Sequence, residues 1–385
     1  MSSSQRSPRD RTATQAATHQ PLSDLRLSGH RYAVSRRTAL LLAVGIGVMG
    51  ALSACSSGTT SSADAGTSSE TPAPAEKVEL TLVSYAVTQA AYEQIIPQFV
   101  EQWQDETGQD VVFNQSYGGS GSQTRAVLDG LEADVVALAL ALDTQKLEEG
   151  GLIEPGWEQE APNDAIVHKS VAALVTRDGN PKNIQGWEDL ARNDVQVVTA
   201  NPKTSGGARW NFMALWGQIT QTGGDERTAL DYVTKVYGNA PILPKDAREA
   251  TDVFFQRGQG DVLINYENEV LLAQLNGEVQ PYIIPDVNIS IDNPIAVVDA
   301  NVDKHGTREV AEAFVEFLFT PEAQREFAKV GFRPVNPTVE AEFAEQYPKV
   351  ETLFTVDDLE GWDAVQTKFF ADGAEFDKIQ TKISQ

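Results

Sequence analysis

The sequence predicts an α/β fold made of two similar units. Three observations carry that reading. Strand-like runs alternate with helical spacings along most of the chain, the order that gives parallel pairing. One run, Val135–Leu142, is apolar without alternation, as expected of a strand covered on both faces. The pattern then starts again near Ile184, after a strand at Val171–Thr176 and a Gly179-Asn-Pro181 turn.

Taken in order, ordered structure begins at Val78–Tyr85, whose alternation opens a sheet. Helical spacing follows at Tyr92, Ile95, Ile96, Phe99 and Trp103, with Pro97 placed to kink it. Val111–Asn114 reads as the next strand. Gly118-Gly-Ser-Gly-Ser-Gln123 then opens a helix carrying Ala126, Val127, Leu128 and Leu131. In the second unit, Ile184–Leu190 precedes a strand at Val195–Ala200. The loop Asn201-Pro-Lys-Thr-Ser-Gly-Gly207 follows, and a helix bears Trp210, Phe212, Met213, Leu215 and Trp216. Val233–Val236 lies on another helix. Asp246 with Glu249 three residues on forms an Asp version of a capping box, so Ala247 falls in the first turn of its helix. Gly260–Tyr266 is a strand ending at Tyr266. Tyr282–Ile284 and Ile295–Val298 lead back out, Glu309–Phe319 and Ala323–Val330 are amphipathic helices, and Gly361–Ile383 reads as a helical tail.

The N-terminal part is of another kind. Arg36-Arg37 precedes the apolar run Ala39–Leu52, closed by Ser53-Ala54-Cys55. A basic lead, a short apolar stretch and a small-residue end make a secretory signal over residues 1–54, shorter than the roughly 20 apolar residues a bilayer span needs. Leu52-Ser53-Ala54-Cys55 looks like a bacterial lipobox, in which Cys55 is lipidated and anchors the chain to a membrane. Ser35-Arg36-Arg37 also resembles a twin-arginine export signal, the alternative to general secretion. Residues 55–77, rich in Ser, Thr, Ala and Pro, read as a flexible tether.

Charge narrows the partners. The first 54 residues carry seven arginines and two aspartates, leaving 23 basic and 53 acidic residues beyond them, a net of −30. Such a surface repels nucleic acid and anionic lipid. An anion must therefore be captured by local donors against the global field. Cys55 is the one cysteine, and His168 and His305 are the two histidines beyond the leader. That supply argues against a disulfide, a cysteine metal cluster and histidine-dependent catalysis.

Three segments share one design: Ser120 in Gly-Gly-Ser-Gly, Ser205-Gly206-Gly207, and Asp246-Ala247 each put small residues or an N-cap at the start of a helix that follows a strand. The first N–H groups of a helix lack internal partners and carry its partial positive charge, so such ends receive anions. Each taken alone is equally a capped turn.

Val83-Ser84-Tyr85, Gly118-Gly-Ser-Gly-Ser-Gln123, Gly130-Leu-Glu-Ala-Asp-Val-Val136, Asn201 to Trp210 and Gly260 to Glu269 together resemble the periplasmic sulfate-binding proteins of bacterial ABC importers, from about residue 78 to the C-terminus. The resemblance implies a type II periplasmic-binding fold of two lobes. Each lobe is a mostly parallel sheet flanked by helices, and hinge strands join the two. It implies lobe 1 at 78–172 and 292–345, lobe 2 at 173–291, and a helical tail at 346–385 packed on both. It further implies a monomer with neither cofactor nor metal, delivering sulfate to permease and ATPase subunits. Carried onto matching positions, the ligand donors are the backbone N–H groups of Ser120, Gly206, Gly207 and Ala247 and the hydroxyl of Ser205. Tyr266 stands where the family has a tryptophan N–H donor, and Ala86 where it has an aspartate. Arg125, Arg209 and Arg248 are expected in structural ion pairs, and Trp210 and Trp216 in the core. The alternatives are a thiosulfate-binding protein of the same fold, a secreted hydrolase with Ser205 as nucleophile, and a surface adhesin.

Overall fold

The computed structural model describes residues 77–385; the leader, Cys55 and the tether up to Glu76 lie outside them. Two mixed sheets are flanked by helices. In the first, β1 (Lys77–Tyr85) runs parallel to β2 (Asp110–Gly118) on one side and to β3 (Val135–Ala137) on the other. Beyond β3 lies β10 (Ile291–Val297), antiparallel to it, and then β4 (Ile166–Ser170), antiparallel to β10. The second sheet has the order β6 (Val197–Val198), β7 (Val262–Tyr266), β5 (Ala172–Thr176), β8 (Tyr282–Ile283). Its β6–β7 pair is parallel, and its other two pairs are antiparallel. Parallel pairing holds where a helix carries the chain back across the sheet. Antiparallel pairing enters with the strands that pass from one sheet to the other.

Those passages are short. Val171 alone separates β4 from β5, and Ser290 alone separates β9 (Val287–Ile289) from β10. Asn288 joins the two crossings: its Oδ1 accepts from the Ala172 N–H at 3.1 Å and its Nδ2 donates to the Ala172 carbonyl at 2.8 Å. A third passage is made by β11 (Thr352–Phe354), which pairs parallel with β9.

On the first sheet lie α1 (Gln89–Thr107), which runs through Pro97 without a break, α2 (Ser120–Leu128) and α3 (Ala141–Glu149). The same side carries α8 (Asp299–His305), α9 (Arg308–Phe317), α10 (Pro321–Lys329) and α11 (Pro337–Phe343). The second sheet carries α4 (Gly206–Thr220), α5 (Glu226–Gly238), α6 (Ala247–Phe255) and α7 (Glu267–Leu275). The tail is helical in two pieces, α12 (Gly361–Val365), continued by a π-helical turn to Phe370, and α13 (Glu375–Ile383). Every residue of α4 from Gly206 to Gln218 is buried, as befits a helix apolar nearly all round. Its Phe212 packs among Tyr237, Phe369, Phe370 and Phe376, so the tail supplies much of its cover.

The Val135–Leu142 run is only in part a strand. Pairing ends at Ala137, and α3 begins at Ala141. The run is apolar throughout because Leu138 to Leu140, which carry the chain into α3, are as buried as the strand.

His305, at the end of α8, lies between Glu132 and the buried Asp134, its Nδ1 2.8 Å from Asp134 Oδ1 and its Nε2 3.0 Å from Glu132 Oε2. The hydrogen bonds to these two carboxylates raise its pKa above 6.5. A pKa raised by folding gives stability that is full below the unfolded value and fades as pH rises through the folded one. Thermal midpoints of wild type and His305→Gln should therefore converge as pH is raised from about 6 upward, the variant being the less stable at the acid end. A constant difference between the two melts from pH 6 to 9 would contradict this.

Candidate functional site

The ends of β1, β2 and β7 and the starts of α2, α4 and α6 meet around one small cavity, ≈ 10 Å³ as measured to the centre of a water-sized sphere. Ser120, Ser205, Gly206, Gly207, Ala247 and Tyr266 all line it, with Tyr85, Ala86 and Asp246 among their neighbours. All six expected residues thus come together, two sheets apart in the fold and up to 146 positions apart in the chain.

Each is placed by local chemistry. Ser205 is the N-cap of α4, and its Oγ accepts from the Ala208 N–H at 3.3 Å, leaving the hydroxyl proton free to donate elsewhere. Asn201 shapes the preceding turn by taking the N–H groups of Thr204 and Ser205 on its carbonyl and that of Lys203 on its side chain. The Lys203 ammonium reaches the tail, 2.9 Å from Asp377 and 3.1 Å from the Phe370 carbonyl, and so fixes the loop to α13. Gly206 and Gly207 are the first two residues of α4, and Ser120 and Ala247 the first of α2 and α6, so their N–H groups precede the intrahelical ladder. Asp246 caps α6 by accepting from the Glu249 N–H at 2.8 Å. The return arm of this capping box lands one residue early, Glu249 accepting from the Lys245 N–H at 3.0 Å.

The glycines are dictated by close approach. A Cβ on Gly206 would stand 2.6 Å from Ala139 Cβ and 2.7 Å from Leu140 Cδ2, on the other sheet's side. One on Gly207 would stand 2.7 Å from the Tyr266 ring, and one on Gly119 would stand 2.5 Å from the Thr204 carbonyl oxygen. At Gly119 the loops of the two sheets therefore touch backbone to backbone beside the cavity.

Among the described residues no cation lines it, and two of the three arginines near the helix starts are engaged elsewhere. Arg248 makes a bidentate pair with the buried Glu269 at 2.8 and 3.0 Å. Arg209, itself buried, pairs with Asp143 at 3.3 Å and donates to the Pro202 carbonyl at 3.0 Å. Arg125 departs from expectation. Among the described residues it has no acidic partner, and being exposed it is held by Ser122 Oγ at 3.1 Å and the Lys203 carbonyl at 3.5 Å. Trp210 is in the core as expected, its indole N–H donating to the Ala139 carbonyl at 2.7 Å.

Sequence reasoning missed the supporting residues. Fully buried Asp143 accepts from the Ser120 hydroxyl at 2.7 Å as well as from Arg209 and, at 3.2 Å, Lys146. The Ser120 Oγ in turn takes the Ala139 N–H at 3.0 Å, so this side chain is spent on structure and only its backbone N–H is left for a ligand. Asn265 donates to the Ala247 carbonyl and to Thr251 Oγ1, both at 2.9 Å, bracing the start of α6 against the end of β7. An asparagine in the middle of an apolar strand, Val262-Leu-Ile-Asn-Tyr266, was the available signal for it. Burial pushes the Tyr266 phenol well above its usual pKa near 10, so it remains a donor.

Two small α/β lobes joined by short strand crossings, with helix N-termini aimed into the space between them, define a solute-binding class of protein. Residues 80–333 match the model of the bacterial extracellular solute-binding protein family, and the chain belongs to that family. It is 60% identical over 340 residues to a sulfate-binding protein of Synechocystis sp., covering 88% of this chain and 95% of the relative. It is 64% identical over 310 residues to a sulfate-binding protein of Synechococcus elongatus, covering 80% and 88%. Among solved structures, the sulfate-binding protein SubI from Mycobacterium tuberculosis superposes with a TM-score of 0.71 at 37% identity, covering 76% of this chain and 99% of that one. These relatives are binding proteins, and the hydrolase reading of Ser205 falls with them.

Removing one partner from a buried charge cluster leaves the others uncompensated, which costs about 3–5 kcal/mol. Asp143→Ala should lose roughly that much stability in urea unfolding, and adding Arg209→Met should recover part of it. A single-variant loss under about 1 kcal/mol would show that Asp143 does not hold the two sides together.

Proposed function

We propose that this chain captures sulfate in the cavity between its lobes and delivers it to the permease and ATPase subunits of an ABC importer. The observation that carries the reading is the convergence of three helix N-termini from two sheets on one cavity that no cation lines. The ligand donors are the backbone N–H groups of Ser120, Gly206, Gly207 and Ala247 and the hydroxyls of Ser205 and Tyr266. The names of the relatives at 60% and 64% identity support the choice of anion. Residues 78–172 with 292–345, and 173–291, move as two bodies that close on the anion, driven by contacts available only when both surround it. The protein works outside the cytoplasm as a monomer, held to a membrane through lipidated Cys55. Among the described residues no helix is long and apolar enough to cross a membrane.

A site richer in donors than in acceptors favours an anion that carries no proton. Sulfate at neutral pH is one. Phosphate retains a proton that needs an acceptor in a dry site, at a penalty of about 1–3 kcal/mol if none is found. Asp246 is the one carboxylate on the cavity, and one of its oxygens is committed to its own helix. Calorimetric titration of the full chain should show sulfate binding that is nearly flat from pH 6 to 8, with phosphate a poor competitor at both ends. Ser205→Ala should weaken sulfate by roughly tenfold to a hundredfold, the worth of one hydrogen bond to a charged group. Tighter binding of thiosulfate than of sulfate would reassign the substrate, and no heat with any of these anions would end the reading.

For the anchor, Cys55→Ser should abolish palmitate labelling and release the protein from the membrane fraction of the producing cells. Labelling that persists in the variant would refute it.

A further inference from the structure

Tyr85 is assigned no part in the ligand set above, yet its position calls for one. It ends β1, is 3% exposed, and lines the cavity from the first-sheet side. Tyr266 ends β7, is 1% exposed, and lines it from the second. The two rings face each other across 6.1 Å between centroids, inclined by 51°. Both phenol oxygens are buried without a hydrogen-bond partner among the described residues, and neither bonds the other.

Buried polar groups in folded proteins are almost always paired, and each exception calls for an explanation. Two orphaned hydroxyls on facing walls of one small cavity have a common one: an acceptor atom between them. The surroundings of Tyr85 leave its hydroxyl available for that task. Beside it stands His168, 6.3 Å between ring centroids and packed on Phe327 and Phe332. Complete burial pushes His168 down to about 3, so no positive charge there competes for the anion. Burial, first, and then the neighbouring Tyr266 raise the Tyr85 phenol well above its usual pKa, so it keeps its proton.

We propose that Tyr85 is a further ligand-binding residue of this site, its hydroxyl donating to an oxygen of the bound oxyanion from the wall opposite Tyr266. The proposal rests on the sulfate reading and deepens it. An oxygen accepting from a phenol of each lobe is best a bare, negatively charged one, as a tetrahedral oxyanion presents, so the pair adds affinity for that class of anion. Because one phenol comes from each sheet, the paired contact also exists only when the lobes are together, which makes it a contact of the closed form.

The test compares wild type, Tyr85→Phe, Tyr266→Phe and the double variant by calorimetric titration of the full chain with sodium sulfate, alongside ligand-free melts. Tyr85→Phe should weaken sulfate roughly tenfold or more. Its ligand-free midpoint should be equal or higher, since the variant deletes an unpaired buried hydroxyl. The double variant should be weaker than either single one. A Tyr85→Phe affinity equal to wild type overturns the proposal. Should that variant melt below the titration temperature, 3-fluorotyrosine at position 85 decides the matter. Its more acidic hydroxyl should tighten sulfate binding, and an unchanged affinity overturns the assignment. A wild type that ignores sulfate but binds thiosulfate or selenate removes the sulfate reading alone, and the same variants are then titrated with that anion. A wild type that binds none of the three removes both.

Discussion

The carboxylate of Asp143 is the point on which the arrangement around the cavity depends. It sits at the start of α3, fully buried, and takes hydrogen bonds from Ser120 on α2, Lys146 on its own helix and Arg209 on α4. One group therefore fixes the first turn of α2, where the Ser120 N–H is aimed, and ties it to the helix that begins with Gly206. A buried charge of this kind is tolerable only with full hydrogen bonding, and here the bonding itself spans the two sides of the molecule. Remove it, and both the aim of α2 and the approach of α4 are released together.

Closeness of approach is the second constraint, and it follows from the first. With the two sides drawn together, Gly119 faces the Thr204 carbonyl, Gly206 faces Ala139 and Leu140, and Gly207 lies under the Tyr266 ring. A Cβ at Gly119 or Gly206 would push the sides apart, and one at Gly207 would displace the Tyr266 ring. Backbone N–H groups at helix starts are also what an acidic protein needs to hold an anion. Partial charges fixed in peptide groups neither titrate nor draw in the surrounding carboxylates, whereas a free lysine would find an acidic partner first, as Lys203 does with Asp377.

How far the sequence speaks for itself differs between layers. The helix α6 behind Asp246 is legible because cap and apolar stripe agree, and α4 behind Ser205 because a cap opens a long apolar run. Strands of two or three residues such as β6 are legible only as parts of longer apolar runs, and β4, β9 and β11 escape because their pairing partners are distant in the chain. The same holds at the cavity. Its small-residue helix starts announce themselves locally. Asp143, Asn265 and Tyr85 do not, since what makes them matter is a partner on another element. The helix α7 went unread for a related reason: Glu267, Asn268 and Glu269 look like surface residues, yet all three are buried. Glu267 is paired with Arg333 at 2.6 Å and Glu269 with Arg248 at 2.8 Å.

Those two acidic residues show how the excess negative charge is put to use. Glu267 and Glu269 follow Tyr266 directly, at the N-terminus of α7, where the helix end favours carboxylates. Glu269 then holds an arginine that would otherwise be free near the cavity, since Arg248 is the second residue of α6, one place after Ala247. An arginine left loose at that position would bind the anion directly and titrate nowhere in the physiological range, giving tight capture and slow release. With Glu269 holding Arg248 and Asp143 holding Arg209, the described residues that line the cavity are left with neutral donors. The charges are spent on the frame, and the helix-end dipoles face the cavity.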